Sequence, residues 1–273
     1  MHHSIDKLFF CRRICSDLTS FTKLLMNSKR LRWSKGNKDF KDAFPFTGSA
    51  YSLNIAGEKH AVYLRTYTGD IDIFYEIFYR EVYRLNPSVF KNAEVIIDLG
   101  SNTGLSALYF LDKCPHAKII CAEPDPDNFA ILKRNLLPFT DSSRAYLHEA
   151  AVMAEAGTVY LQKEKIKYNS NVVKNSNEKN TNAITINGLI GIHGINSIDL
   201  IKIDIEGSEK NLFSANTEWL TKTRHLVLEF HSDEDKQIVV SCLKDYGFDV
   251  VFLSEKGREA NLLFASSRML NTK

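Results

Sequence analysis

Val95-Ile96-Ile97-Asp98-Leu99-Gly100-Ser101-Asn102-Thr103-Gly104 decides the fold. Three consecutive β-branched apolar residues read as a short strand covered on both faces, as strands are in a parallel sheet. Gly100 and Gly104 allow a tight turn, and Gly104 to Leu111 reads as the helix leaving it. A strand, glycine loop and helix in this order put the loop at the carboxyl edge of an open sheet, where ligands bind.

The pattern repeats downstream. Lys118 to Ala122 is a second apolar strand, and Asp127 to Leu136 a helix opened by Asp125-Pro126. Ala145 to Val152, Ser197 to Ile203 and His225 to Phe230 read as strands, and Ser208 to Leu220 and Asp233 to Tyr246 as helices, the last closed by Gly247. Phe248 to Leu253 and Asn261 to Ala265 are strands joined by too few residues for a crossover helix, so they should be antiparallel. The expectation is an α/β, Rossmann-like, doubly wound fold. It has a mostly parallel seven-stranded sheet, a C-terminal antiparallel hairpin and a helical N-terminal extension.

Two regions depart from this alternation. Thr158 to Gln162 looks like a strand, and six Asn follow between Asn169 and Asn182. This predicts an exposed insertion over about residues 163–183, a candidate lid. Upstream, Ile14, Leu18, Phe21 and Leu25 recur at helical spacing, and Trp33 to Lys41 suits a linker. Tyr51 to Leu64 alternates as one or two strands, and Ile71 to Leu85 reads as a helix opened near Asp70 or Asp72. The division expected is a basic, partly helical extension over 1–50 and one α/β domain over 51–273.

The formal net charge of +2 gives no reason to expect nucleic acid as partner. It is unevenly placed, however. Residues 1–41 hold ten Lys or Arg against three Asp, which leaves the remainder acidic. Such an arm is first a solvated helical face, and second a peripheral contact for an anionic surface. Five scattered cysteines without a Cys-x-x-Cys pair argue against a disulfide framework or zinc site. No apolar run reaches the ~20 residues of a membrane span, and Arg12-Arg13 interrupts Leu8-Phe9-Phe10, so no signal peptide is expected. A cytoplasmic location follows as the expectation.

The loop's ligand is narrowed by what the loop lacks. A pyrophosphate site wants G-x-G-x-x-G, but positions 102 and 105 are Asn102 and Leu105. Asp98 would repel a pyrophosphate and suits a ligand bearing an ammonium and a sulfonium, as S-adenosylmethionine does. Its plainer reading is a cap on the loop. Glu123 ends the second strand nineteen residues after Gly104, where an acid accepts ribose hydroxyls, and Pro124 fixes its exit. The candidate cofactor contacts are Asp98, Gly100, Ser101, Asn102, Gly104, Glu123, Pro124, Ala151 beside the adenine, and Asp204.

At these residues the chain resembles the FkbM family of S-adenosylmethionine-dependent methyltransferases. The resemblance is carried by Val95–Gly104, Ala122–Phe129, Glu149–Val152 and Leu200-Ile201-Lys202-Ile203-Asp204-Ile205-Glu206-Gly207-Ser208-Glu209. It implies that 51–273 is a methyltransferase domain acting on hydroxyl oxygens of small molecules, sugars, or glycan- or lipid-linked groups. It also suggests that Tyr67, Thr68 and Asp70 close over the methionine end.

Asp204, Glu206 and His231 follow the strands whose mouths face the transferred methyl. His231 is the candidate base, Asp204 positions methionine or acceptor, and Glu206 binds acceptor. The plainer readings are a structural histidine and a helix-capping Glu206-Gly207-Ser208-Glu209. No metal is expected, for want of a fourth ligand. Lys202 reads as one end of a helix-facing ion pair. A nicotinamide-dependent oxidoreductase and a non-catalytic cofactor-binding module remain as alternatives.

Overall fold

The computed structural model describes residues 2–34, 48–162, 165–168, 179–205, 209–253 and 261–270. Helices α1 (His2–Ile14) and α2 (Leu18–Ser34) precede an antiparallel hairpin of β1 (Gly48–Ile55) and β2 (Glu58–Arg65). A short helix α3 (Asp70–Phe74) runs into a π-helical turn over Tyr75–Tyr79, and α4 (Pro87–Lys91) leads to the sheet. There follow β3 (Val95–Leu99), α5 (Leu105–Lys113), β4 (Lys118–Ala122), α6 (Pro126–Asp141), β5 (Ala145–His148), β6 (Ala150–Val152), β7 (Gly157–Gln162), β8 (Lys165–Tyr168) and β9 (Lys179–Ile184). The chain continues through α7 (Ile186–His193), β10 (Ile198–Ile203), α8 (Glu209–Ser214), β11 (Thr223–Glu229), α9 (Asp233–Asp245), β12 (Phe248–Leu253) and β13 (Leu262–Ser267).

The main sheet has seven strands in the order β12-β13-β11-β10-β3-β4-β5. β5, β4, β3, β10 and β11 are parallel, and β13 is antiparallel to both its neighbours. This is the expected doubly wound fold with its reversed C-terminal hairpin. The order changes direction at β3. β4 and β5 lie to one side and β10 and β11 to the other, which opens a crevice at the mouths of β3 and β10.

Alternation along the strands divides the core between the two sheet faces. Ile96, Ile119, Leu200 and Val227 join one apolar cluster; Ile97, Ile120, Ile201 and Leu226 join the other. On the first face α5 is buried at every position from Leu105 to Leu111. A helix apolar on all sides needs cover on all sides. Phe10, Leu24, Leu53 and Leu64 from α1, α2 and the hairpin complete that cover within the same cluster.

Four details correct the sequence reading. The expected helix from Ile71 to Leu85 ends at Tyr79, because Glu81 turns the chain at φ +53° and Asn86 caps a new helix at Pro87. The apolar spacing of Val82 and Leu85 arises from residues that pack without being helical. The third strand breaks at exposed Glu149, with β5 pairing β4 in the main sheet and β6 pairing β9 in another. The expected helix from Ser208 to Leu220 splits at Asn216, φ +55°, into α8 and a 3-10 turn over Thr217–Lys222. Part of the Asn-rich insertion is ordered as strand, since β6-β9-β7-β8 form a four-stranded sheet around Ala151, Met153, Val159 and Ala183. In β9, Asn180 and Asn182 take the exposed positions on either side of Thr181, and Ala183 is buried. The Trp33 to Lys41 linker beyond residue 34, and 169–178 of the insertion, lie outside the described residues.

Candidate active site

The glycine loop is held by its own backbone. Gly100 N–H and Ser101 N–H both donate to Ala122 O at 3.0 and 3.1 Å, and Gly104 N–H donates to Ser101 O at 2.8 Å. Asn102, at φ +49°, donates its N–H to Glu123 Oε2 at 2.8 Å. Gly100 adopts φ +72°, and a Cβ placed there would lie 1.7 Å from Asp204 O, so β10's exit crosses directly against it. Gly104 is at φ +84°, and a Cβ there would meet Leu132 Cδ1 at 2.8 Å. Four of the N–H groups that would cradle a pyrophosphate are therefore already engaged.

Beneath the loop lies a buried charge cluster. Asp98 is fully buried, accepts from Ser106 Oγ at 2.6 Å, and has Oδ1 3.3 Å from Lys202 Nζ. Lys202 donates to Gly100 O at 2.7 Å and Leu99 O at 3.3 Å, and stands 3.5 Å from Asp204 Oδ2. Burial alone would pull this ammonium's pKa down, but Asp98 and Asp204 outweigh burial and hold it well above the ordinary lysine value. The helix-facing ion pair expected for Lys202 is thus replaced by a clamp at the strand mouths. Asp98 acts on that clamp from below and does not line the open cleft.

Glu123 is buried on the other side of the loop. Its Oε1 accepts from Asp125 N–H at 3.0 Å, and burial raises its pKa despite these donors. Pro124 is half-buried beside it, and Asp125 caps α6 by accepting from Asp127 N–H and Asn128 N–H. Asn128 also accepts from Arg65 Nη2 at 2.9 Å, and Arg65 makes a two-pronged pair with buried Asp70. Thr68 Oγ1 donates to Asp70 as well. Asp70 is thus taken up by Arg65 and Thr68, contrary to a role closing over a ligand. Ala151 is fully buried in β6, so its side chain packs in the small sheet.

A cleft of about 670 Å³ opens at the mouths of β3, β10 and β11. Gly100, Ser101 and Asn102 form one wall; Asp204, Glu229 and His231 form the floor; Ile73 to Arg84 overhangs it. His231 Nδ1 lies 2.9 Å from Glu209 Oε1, and its Nε2 lies 3.6 Å from Asp204 Oδ1. Glu209 is fully buried, so it fixes the imidazole with one nitrogen toward the cleft. The sequence pairing of Asp204 with His231 is realised; Glu206 lies outside the described residues. A larger concavity of about 1100 Å³ sits at the opposite ends of the strands, around Asp199 and Arg224, remote from the glycine loop.

The sequence reading missed three groups here. Glu229 ends β11, and burial, then the Asp204 charge, push its pKa to about 7. Its signal was available, since the last residue of a parallel strand faces the ligand edge. Glu209 was read as a helix cap, whereas its carboxylate orients His231. Tyr83 faces the cleft from a turn that apolar periodicity had assigned to a helix, and burial raises its pKa. Among the described residues, Asn102 Oδ1 and Thr103 Oγ1 are buried without a hydrogen-bond partner, and both belong to the loop.

The Methyltransferase FkbM domain model matches residues 98–250, more than half of the chain and all of the glycine-loop-to-β11 core. The protein belongs to the FkbM methyltransferase family. Among similar proteins, this FkbM-family chain is 27% identical over 202 residues to the 2-O-methyltransferase NoeI of Sinorhizobium fredii, covering 66% of this chain and 82% of the relative. It is 26% identical over 216 residues to the 31-O-demethyl-FK506 methyltransferase FkbM of Streptomyces tacrolimicus, again 66% and 82%. A solved precorrin-6y C5,15-methyltransferase from Geobacter metallireducens aligns with TM-score 0.41 at 14% identity, over 66% of this chain and 85% of that one. This FkbM-family protein is a methyltransferase.

Proposed function

We propose that this enzyme uses S-adenosylmethionine to methylate a hydroxyl oxygen on a small-molecule or saccharide acceptor. The observation that carries the reading is a glycine loop with its N–H groups engaged internally, beside a cleft floored by Asp204 and Glu229. With those N–H groups engaged the loop offers a pyrophosphate little, and part-exposed Asp204 gives a cationic group of the ligand a carboxylate. The unpartnered Asn102 Oδ1 and Thr103 Oγ1 fit a ligand with amino and hydroxyl donors at the loop. Two relatives named as O-methyltransferases support oxygen as the acceptor atom.

In this reading Glu123 receives a ribose hydroxyl, since a carboxylate has about four acceptor sites and three are taken, by Asn102 N–H, Asp125 N–H and, at 3.5 Å, Asn128 Nδ2. Lys202, paired with Asp98, holds the loop carbonyls of Leu99 and Gly100 in place, and Asp204 orients the methionine end or acceptor. Bound there, the cofactor supplies a methyl group already activated on a sulfonium. Residues around the cleft then need only align the acceptor oxygen, at about 3–3.5 Å, and take its proton. His231, oriented by Glu209, would take the proton of the acceptor hydroxyl on its cleft-facing nitrogen. Glu206 is assigned to acceptor binding, residues 51–273 to the methyltransferase domain, and the cytoplasm to its location.

The test is incubation of the enzyme with methyl-labelled donor and fractionated hydroxylated metabolites and oligosaccharides. Label should enter a methyl ether stable to mild base, with release of S-adenosylhomocysteine. Label found only on nitrogen or carbon would overturn the oxygen assignment.

A further inference from the structure

Helices α1 and α2 each bury one face and turn another outward. In α1, Phe10 and Cys11 are buried, while Ile5, Leu8 and Phe9 are exposed, Phe9 to 70%. Arg12 and Arg13 are exposed on the same side. In α2, Leu18, Thr22, Met26, Lys29 and Trp33 recur at helical spacing along one exposed face, with Arg30 and Arg32 beside it. Leu18, Met26 and Trp33 are 65%, 54% and 67% exposed. Five cations of the two helices, Arg12, Arg13, Lys29, Arg30 and Arg32, are exposed, whereas Lys7 and Lys23 turn toward the body of the domain.

We infer that the outward faces of α1 and α2 form a docking surface for an anionic phospholipid bilayer. Large aliphatic and aromatic side chains interleaved with cations are what an interfacial helix presents to headgroups and the first methylenes beneath them. A nucleic acid would use the cations but gain little from exposed Ile5, Leu8 and Met26. A second copy of the same surface would set cations against cations. The buried sides of these helices hold the cleft's overhang. The Phe10 ring lies 5.2 Å from Tyr79 and 5.9 Å from Phe74, Lys7 Nζ sits 3.3 Å from the Tyr75 ring centroid, and Ser28 Oγ is 2.9 Å from Tyr75 Oη. The docking face is therefore one helix thick from the wall formed by Ile73, Glu76 and Ile77. The inference stands on surface chemistry alone and does not require the proposed reaction.

The test uses the full chain with unilamellar vesicles of phosphatidylcholine, with or without phosphatidylglycerol. Sedimentation with the anionic vesicles only is expected, weakening as salt rises. The chain has two Trp, and Trp219 is 1% exposed, so a blue shift of emission on binding reports Trp33 and should vanish in Trp33→Phe. Each Lys or Arg near such a surface is worth roughly a fivefold gain in partitioning. Arg12→Glu with Arg13→Glu should accordingly weaken binding by at least about 25-fold, and Phe9→Ser with Met26→Ser should weaken it while leaving thermal unfolding unchanged. Absence of sedimentation with phosphatidylglycerol vesicles would overturn the inference, as would equal binding to neutral ones. So would a blue shift caused by RNA or by self-association, with vesicles inert.

Discussion

Replacing Lys202 with Met keeps the length and apolar stem of the side chain but deletes the charge that ties the loop to β10. The ammonium lies within 3.3 Å of Asp98 Oδ1, 3.5 Å of Asp204 Oδ2 and 2.7 Å of Gly100 O. Its loss leaves Asp98, with no exposed surface, supported by Ser106 Oγ alone among those groups. Removing one partner of a buried pair costs about 3–5 kcal/mol, because the remaining charge stays desolvated. For a domain of this size that is a fall in Tm of roughly 6–20 °C. Adding Asp98→Asn removes the stranded charge, so the double variant should be more stable than the sum of the single losses predicts, by about 1–3 kcal/mol. Urea unfolding followed by circular dichroism gives all four corners of this cycle. Because the Lys202 pKa is raised above its ordinary 10.5, the ammonium keeps its charge throughout the neutral range, so the cycle can be run at neutrality. A loss below about 1 kcal/mol for Lys202→Met, or strictly additive effects, would refute the clamp.

Other expectations follow from the same geometry. Gly100→Ala places a methyl inside van der Waals contact of Asp204 O and at φ +72°, so it should abolish turnover and lower stability by about 2 kcal/mol or more in urea titration. His231→Ala should cut kcat by about 10²–10⁴-fold, and Glu209→Gln by less, with KM for the donor little changed in steady-state assays. Glu229 has its pKa raised from 4.5 to about 7, so burial favours the protonated acid. The stability this gives is complete below about pH 4.5 and is lost as pH rises through 7, on the order of 3 kcal/mol in all. Glu229→Gln should flatten that pH dependence between those limits, as read by urea midpoints across pH. Asp125→Ala removes the α6 cap and should cost about 1 kcal/mol, measured the same way.

The sheet was legible because its strands are short apolar runs separated by helical periods, and because the residues joining β12 to β13 are too few for a crossover. The loop was legible because Gly100 marks a backbone crossing that no side chain can enter, and Gly104 a left-handed turn into α5. Partner exchange was not. Ala145 to Val152 reads as one strand, because His148-Glu149 in its middle fits an exposed strand position as well as a break, so the sequence does not mark that β5 and β6 pair with different sheets. The Asn-rich stretch hid β9 because alternate exposed positions of an edge sheet tolerate Asn as readily as a loop does. Within the site, Asp204 and His231 were found by their places after strands. Lys202 was misassigned because parity predicts which face a side chain leaves from, not that a long ammonium bends to the strand mouth. Glu229 was passed over by ending the strand one residue late, at Phe230.

The central claim is that the loop between β3 and α5 holds a cationic adenosyl methyl donor and not a dinucleotide. Isothermal titration of the full chain with S-adenosylmethionine, S-adenosylhomocysteine and NAD tests it most directly. Saturable binding of the first two, weakened at least tenfold by Glu123→Ala, with no heat from NAD, is the predicted result. Saturable binding of NAD with no response to either adenosyl ligand would contradict the account.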